Sequence, residues 1–421
     1  MLQSMRIVGG CQLKGEIEIS GAKNLALPAL VASLLTEEKI TYKNVPNLTD
    51  IKSLLDLLEY IGLTINQIDL HTFELSTKGV KSTEAPYDFV RKMRASILVL
   101  GPLAARFKEA TVSLPGGCAI GVRGVDLHIR ALEMMGAEVS IENGYIKARA
   151  QNGLTGCDIT FPTTTVTGTE NILMAAVLAK GTTRLINAAM EPEVEAFCEL
   201  LNNMGAKITG AGTSIITIEG VEKLHGTEFE IIPDRIEAGT YAIATAVTNG
   251  EVLLKNCRYE HLTSFFETLS SAGVMCKEKN DGVLVSRKDF EIHPVDIQTA
   301  PYPGFPTDLQ AQYTVLMAIC NGTASITENI FENRFMHIPE LQRMGANISI
   351  HGKTAMVTGV EKLTGAQVMA TDLRASVSLV IAGLIADGKT IVNRLYHLDR
   401  GYENIEEKLN NCGANLERFA V

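Results

Sequence analysis

A chain of 421 residues that is 46% hydrophobic, only 5% aromatic and free of tryptophan is too long for one ordinary core and too apolar to stay disordered. Its formal net charge of −10 excludes the broad basic surface that general nucleic-acid binding requires. Apolar stretches such as Leu25 to Leu35 and Val377 to Ala386 fall short of the roughly 20 residues of a membrane span, so no span is predicted.

From the beginning of the chain, Met1 to Gly10 carry one arginine and no apolar h-region, so no signal peptide is read and a cytoplasmic, reducing compartment is expected. Eight cysteines, at 11, 118, 157, 198, 257, 276, 320 and 412, form no C-x-x-C pair; most read as buried apolar fillers. Ser20-Gly21-Ala22-Lys23-Asn24 precedes an apolar helical run. Backbone N–H groups at a helix start, with a lysine beside them, make a plausible anion perch. The full G-x-x-x-x-G-K-[ST] pattern is absent, which argues against a nucleotide-hydrolysing P-loop.

One phrase then recurs along the whole chain, an amphipathic helix ending in glycine and followed by a short strand. Its glycines are Gly62, Gly136, Gly205, Gly273, Gly345 and Gly413, spaced 74, 69, 68, 72 and 68 residues apart. A β-branched strand ending near asparagine accompanies several copies, as in Thr182 to Asn187, Val252 to Asn256 and Thr390 to Asn393. Units of about 70 residues are longer than solenoid repeats, so six of them predict a pseudo-symmetric α/β protein of two halves with three units each. The junction is expected near Ile232-Pro233-Asp234-Arg235, with the first residues crossing back to the second half.

Several segments stand out as candidates for chemistry. Leu114 to Gly124 places four glycines around Cys118 and Arg123; it reads as a mobile lid whose arginine binds an anion and activates the thiol, or as a plain loop with an inert thiol. Arginines recur beside turns or short polar residues at Arg94, Arg334, Arg374 and Arg400. Together with Arg123 and Lys23 they suit a substrate carrying several negative groups, because guanidinium forks match carboxylate and phosphate. Ala300 to Gln310 holds three prolines before Asp308, which is either the N-cap of an apolar helix or a base for a hydroxyl proton. The eight histidines show no paired metal spacing, and no G-x-G-x-x-G follows a strand, so no metal and no nicotinamide cofactor are predicted.

The motifs SGAKN at 20–24, MRAS at 93–96, LPGGC at 114–118, VDLH at 125–128, FPTDLQAQ at 305–312, FENRFMH at 331–337, QVMATDLRAS at 367–376 and HLDRGYE at 397–403 run nearly end to end. In them the sequence resembles the enolpyruvyl transferase family, and the branch of it that acts on UDP-N-acetylglucosamine. The resemblance implies an inside-out α/β barrel of two similar domains, each of three βαβαββ repeats, with the active site in the cleft between them. The implied domains are 22–232, and 1–21 with 233–421.

The implied reaction moves the enolpyruvyl group of phosphoenolpyruvate to the sugar 3′-hydroxyl, releases phosphate and begins bacterial cell-wall synthesis, with no cofactor. By resemblance Lys23, Arg123 and Arg400 surround the phosphate of phosphoenolpyruvate, Arg334 and Arg374 help hold its carboxylate, and Asn24 also meets this substrate. Arg94, Arg123, Gly124, Val125, Asp126, Leu127, Asp308 and Ile330 meet the UDP-sugar. Thr163, Thr164, Thr165 and Val166 do so as well, with Thr163 standing where some members have lysine. Cys118 is the implied acid and adduct-forming thiol, and Asp308 the implied base. Competing readings are the sister activity on shikimate 3-phosphate, against which the LPGGC loop argues, a non-catalytic UDP-sugar-binding regulator, and a cysteine hydrolase, for which no His and Asn/Asp partners are assignable.

Overall fold

The computed structural model describes residues 3–115, 124–287 and 291–420. Among them the chain divides into two compact units, one of residues 3–20 and 233–420, the other of residues 21–115 and 124–232. Among the described residues the chain passes between units at Ser20/Gly21 and at Ile232/Pro233.

Six four-stranded sheets, three in each unit, share one pattern. Asp158–Thr160 runs parallel to Thr182–Ile186, which pairs antiparallel with Ile215–Glu219, and that strand with Lys207–Thr209. Alternation along these strands gives each sheet one buried face: Leu185 sits opposite Ile216, both fully buried, while Thr182 and Arg184 point to solvent. Three sheets borrow a strand from a distant part of the chain. Gln3–Val8 completes the sheet of Lys389–Asn393 and Leu416–Ala420, Lys14–Glu18 lies parallel to Glu251–Lys255, and Glu228–Glu230 lies parallel to Ile40–Lys43.

All six repeated glycines follow a helix and have positive φ, between +91° and +129°. A side chain there would strain the backbone, which is why the phrase keeps glycine at that point. The accompanying asparagines obey the same rule: Asn187 and Asn256 take left-handed conformations just past their strands. In the copy at Thr390 to Asn393 that role falls one residue later, to Arg394, with φ +62°.

Each unit is centred on three helices that are apolar nearly all round. In one unit these are Arg235–Val247, Gln310–Met317 and Leu373–Ile385, which pack on each other. In the other they are Lys23–Ala32, Leu100–Phe107 and Val166–Ala176. A helix hydrophobic on every side is stable only when enclosed. Their first turns are therefore where polar side chains can enter without disrupting the core, and Lys23, Asn24 and Arg374 lie there. Among the described residues, no helix is long and apolar enough to cross a membrane.

Candidate functional site

In the unit containing residues 233–420, Asp308 joins two arginines from distant parts of the sequence. Arg334 Nη2 donates to Asp308 Oδ1 at 2.7 Å and Arg374 Nη2 to Oδ2 at 2.8 Å. The two guanidinium side chains are 3% and 7% exposed and the carboxylate 27%, so the acid is the accessible member of the cluster. Asp308 lies within the one-turn helix Thr307–Leu309, whose cap position is Pro306, and its side chain caps nothing. The N-cap alternative is therefore replaced by a doubly paired carboxylate.

The cluster is fixed from below by hydrogen bonds from all three central helices. Arg374 opens the helix Leu373–Ile385, where Asp372 Oδ1 accepts from the N–H groups of Arg374 and Ala375. Its Nη1 donates to the Tyr402 hydroxyl at 3.0 Å. That hydroxyl meets Thr240 Oγ1 at 2.9 Å, and Gln312 Nε2 reaches Thr240 at 3.0 Å and the Asp308 carbonyl at 2.9 Å. Arg334 Nη1 is buried with no hydrogen-bond partner among the described residues, which is costly unless a ligand oxygen supplies one. Burial alone would raise the Asp308 carboxyl, but Arg374 and then Arg334 outweigh it and hold it well below the usual carboxylate range.

The other unit carries its own cation–carboxylate pair. Lys23 begins the helix Lys23–Ala32, and its Nζ lies 2.6 Å from Asp50 Oδ2, with both side chains nearly buried. Asn24 follows it, half-buried. Arg94 opens the turn Arg94–Val99 ahead of the central helix Leu100–Phe107. Gly124 and Val125 lead into the helix that starts at Asp126 and Leu127; a Cβ on Gly124 would lie 2.1 Å from Asp126 Oδ1, so a side chain there would require the exposed Asp126 carboxylate to turn away. His128 is held down to about 4 by burial first and Arg94 second, against the pull of Asp126, and its Nδ1 pairs with Asn171. Thr165 Oγ1 accepts from Gly168 N as the cap of the helix Val166–Ala176, Thr164 bonds Asn187, and Thr163 is exposed.

The structure thus gathers Asp308, Arg334 and Arg374 into one contact network, with Ile330 tied nearby through its backbone, and gathers Arg94 with Asp126 around His128. Arg400 ends the turn Leu395–Arg400 and helps to lower His397, after burial. Cys118 and Arg123 lie outside the described residues. The seven described cysteines are free, and burial raises the thiols of Cys198, Cys257 and Cys276 to about 12, which makes them poor nucleophiles.

Sequence reasoning missed Tyr402, Thr240, Gln312, Asp50 and Asn171. Tyr402 and Gln312 sit inside the HLDRGYE and FPTDLQAQ motifs, so their presence was visible although no role was assigned. Asp50 looked like an ordinary first-turn acid of the helix Thr49–Ile61.

Comparison with known proteins gives a consistent picture. Residues 7–409 match the family described as EPSP synthase (3-phosphoshikimate 1-carboxyvinyltransferase). A protein of Granulibacter bethesdensis named UDP-N-acetylglucosamine 1-carboxyvinyltransferase is 57% identical over 420 residues, covering 100% of both chains. One of the same name from Acidiphilium cryptum is 56% identical over 99% of this chain and 100% of its own. Among solved structures, the enolpyruvyl transferase NikO from Streptomyces tendae superposes with a TM-score of 0.89 at 24% identity, covering 100% of this chain and 99% of that one. EPSP synthase from Acinetobacter baumannii gives 0.76 at 17% identity, with 100% of each chain covered. These two likenesses establish the mixed α/β, two-domain fold.

Proposed function

The chain belongs to the EPSP synthase family of enolpyruvyl transferases, and on that premise we propose how its residues divide the work of the reaction. The protein transfers the enolpyruvyl group of phosphoenolpyruvate to the 3′-hydroxyl of UDP-N-acetylglucosamine and releases phosphate, a step that commits sugar to peptidoglycan synthesis. The observation that carries this reading is the buried Arg334–Asp308–Arg374 cluster, in a chain more than half identical over its full length to proteins named for this acceptor.

Protonation of the methylene carbon of phosphoenolpyruvate leaves positive character on the neighbouring carbon, and the sugar hydroxyl attacks there as its own proton departs. The tetrahedral adduct then loses phosphate and one methyl proton, restoring the double bond. Such a path needs an acid, a base and fixed positive charge around two anionic groups. Arg334 and Arg374 take the carboxylate: Arg374 is anchored by the Tyr402 hydroxyl, Arg334 lies over the Phe331 ring, and the Nη1 of Arg334 offers a further donor. Lys23, Asn24, Arg123 and Arg400 take the phosphate. Arg94, Gly124 to Leu127, Thr163 to Val166 and Ile330 bind the UDP-sugar, and Cys118 supplies a proton and carries the covalent adduct.

Asp308 accepts the hydroxyl proton. While paired with two guanidiniums it is too weak a base for that task. A substrate carboxylate that takes over the arginines removes the charges holding Asp308 down and leaves it beside the acceptor as a competent base. The six sheets around buried helices close into an inside-out barrel in each domain, with domains of residues 22–232 and of 1–21 with 233–421, and the enzyme works in the cytoplasm.

The acceptor is tested by phosphate release from phosphoenolpyruvate without added metal or nucleotide. Release with UDP-N-acetylglucosamine and none with shikimate 3-phosphate supports the reading. The reverse pattern moves the chain to the sister activity, and silence with both leaves a binding protein.

A further inference from the structure

Glu328, which no motif above singled out, follows the strand Thr323–Thr327 and is 3% exposed. Both of its carboxylate oxygens are fully engaged. Oε1 accepts from Thr299 Oγ1 at 2.8 Å and from the backbone N–H groups of Ile330 and Phe331 at 2.8 and 3.2 Å, and Oε2 accepts from Thr307 Oγ1 at 2.8 Å. Thr299 is itself locked, since its hydroxyl accepts from Asn329 N at 2.9 Å and its N–H donates to the Thr327 carbonyl.

Three of these four donors, Thr307, Ile330 and Phe331, come from segments that the reaction uses. Thr307 is the residue before Asp308. The turn at 330–331 contains Ile330 and runs on to Arg334. One buried carboxylate therefore ties the backbone that carries Asp308 to the backbone that carries Arg334, behind the 2.7 Å contact between those two side chains. A buried carboxylate is expensive to desolvate and poor value as filler. Its use here is chemical: one carboxylate accepts from all four groups at once, whereas a glutamine keeping its oxygen on the two backbone N–H groups would turn its NH₂ to the Thr307 hydroxyl, which must then reverse and accept. Elsewhere in the loop the prolines at 301, 303 and 306 limit local freedom, but none of them links the loop to the 330–334 turn.

We propose that Glu328, acting through the Thr307 hydroxyl, is a positioning residue for the transfer reaction, setting Asp308 in register with Arg334 and with the acceptor hydroxyl. It touches no reacting atom. The inference rests on the assignment of Asp308 as base. A displacement of about 1 Å at a reacting group can cost on the order of 100-fold in rate while binding survives, so the effect belongs in kcat.

The test uses Thr307→Val, which keeps the shape and removes the hydroxyl, Thr307→Ser, which restores it, and Glu328→Gln, with Asp308→Asn as the reference. In steady-state phosphate release with UDP-N-acetylglucosamine, Thr307→Val is expected to lower kcat about 10-fold and Glu328→Gln by no more than that, with KM for both substrates within about threefold. Thr307→Ser is expected to recover most of the loss. Wild-type kcat in Thr307→Val, an equal loss in Thr307→Ser, or a loss carried by KM alone overturns the proposal. If Asp308→Asn itself turns over like the wild type, the assignment of Asp308 has failed, and this inference fails with it for that separate reason.

Discussion

Two cation–carboxylate clusters, one in each unit, look alike in outline and differ in which partner faces outward. Lys23 and Asp50 are 11% and 4% exposed, so both ends are enclosed at the start of a central helix. In the Arg334–Asp308–Arg374 cluster the arginines are enclosed and the carboxylate is 27% exposed. An enclosed acid can only neutralise and orient its lysine. An accessible acid resting on two arginines can be exchanged for a substrate's carboxylate, and that exchange changes its own basicity. Accessibility of the acid, more than the presence of an ion pair, separates a counter-ion from a participant.

The comparison breaks most sharply at Arg374. Arg374→Lys keeps the charge but cannot reach both Asp308 and the Tyr402 hydroxyl. The expected result is a fall in kcat/KM for phosphoenolpyruvate of more than about 100-fold, since breaking a buried pair costs about 3–5 kcal/mol. Retention within tenfold would mean that charge alone suffices there.

Asp50→Asn probes the enclosed counterpart. If Asp50 serves Lys23 as a counter-ion, the variant loses about 1–3 kcal/mol in denaturant unfolding while kcat stays within about tenfold. A loss as large as that of Arg374→Lys would erase the distinction between the clusters.

The smallest effect on turnover is expected at Glu170, another buried carboxyl, in the helix Val166–Ala176. Here burial, then Glu193 and Glu191, push the carboxyl well above its ordinary value, opposite to Asp308. A folded value above the unfolded one means that stability is lost as pH rises through the window between them. Glu170→Gln should therefore unfold like the wild type near pH 4 and become progressively more stable than it toward pH 8, with activity unchanged. A pH-independent difference would show that Glu170 does not titrate in that window.

The sixfold architecture was legible because each copy needs a left-handed residue after its helix, and glycine is visible in a sequence; Gly62 and Gly413 are as recognisable as the four between them. Asp308, Arg334 and Arg374 were legible as residue types beside turns, yet their union was not, since positions 26 and 66 residues from Asp308 meet only in the folded unit. Asp50 and Glu328 were invisible for a simpler reason. An acid in a first helical turn or at a strand end is ordinary in sequence, and only burial together with converging donors marks it as special. The handover of the left-handed position from asparagine to Arg394 shows the limit of pattern reading at single-residue precision.

Asp308 is the proposed base, the acid that gives up two arginines and then takes the acceptor proton. Its most direct test is phosphate release by Asp308→Asn at saturating phosphoenolpyruvate and UDP-N-acetylglucosamine. The account predicts a folded protein whose turnover is at least about 100-fold below the wild type, the usual weight of a positioned base. Turnover at the wild-type rate would contradict it and leave Asp308 as nothing more than a counter-ion, on the same footing as Asp50.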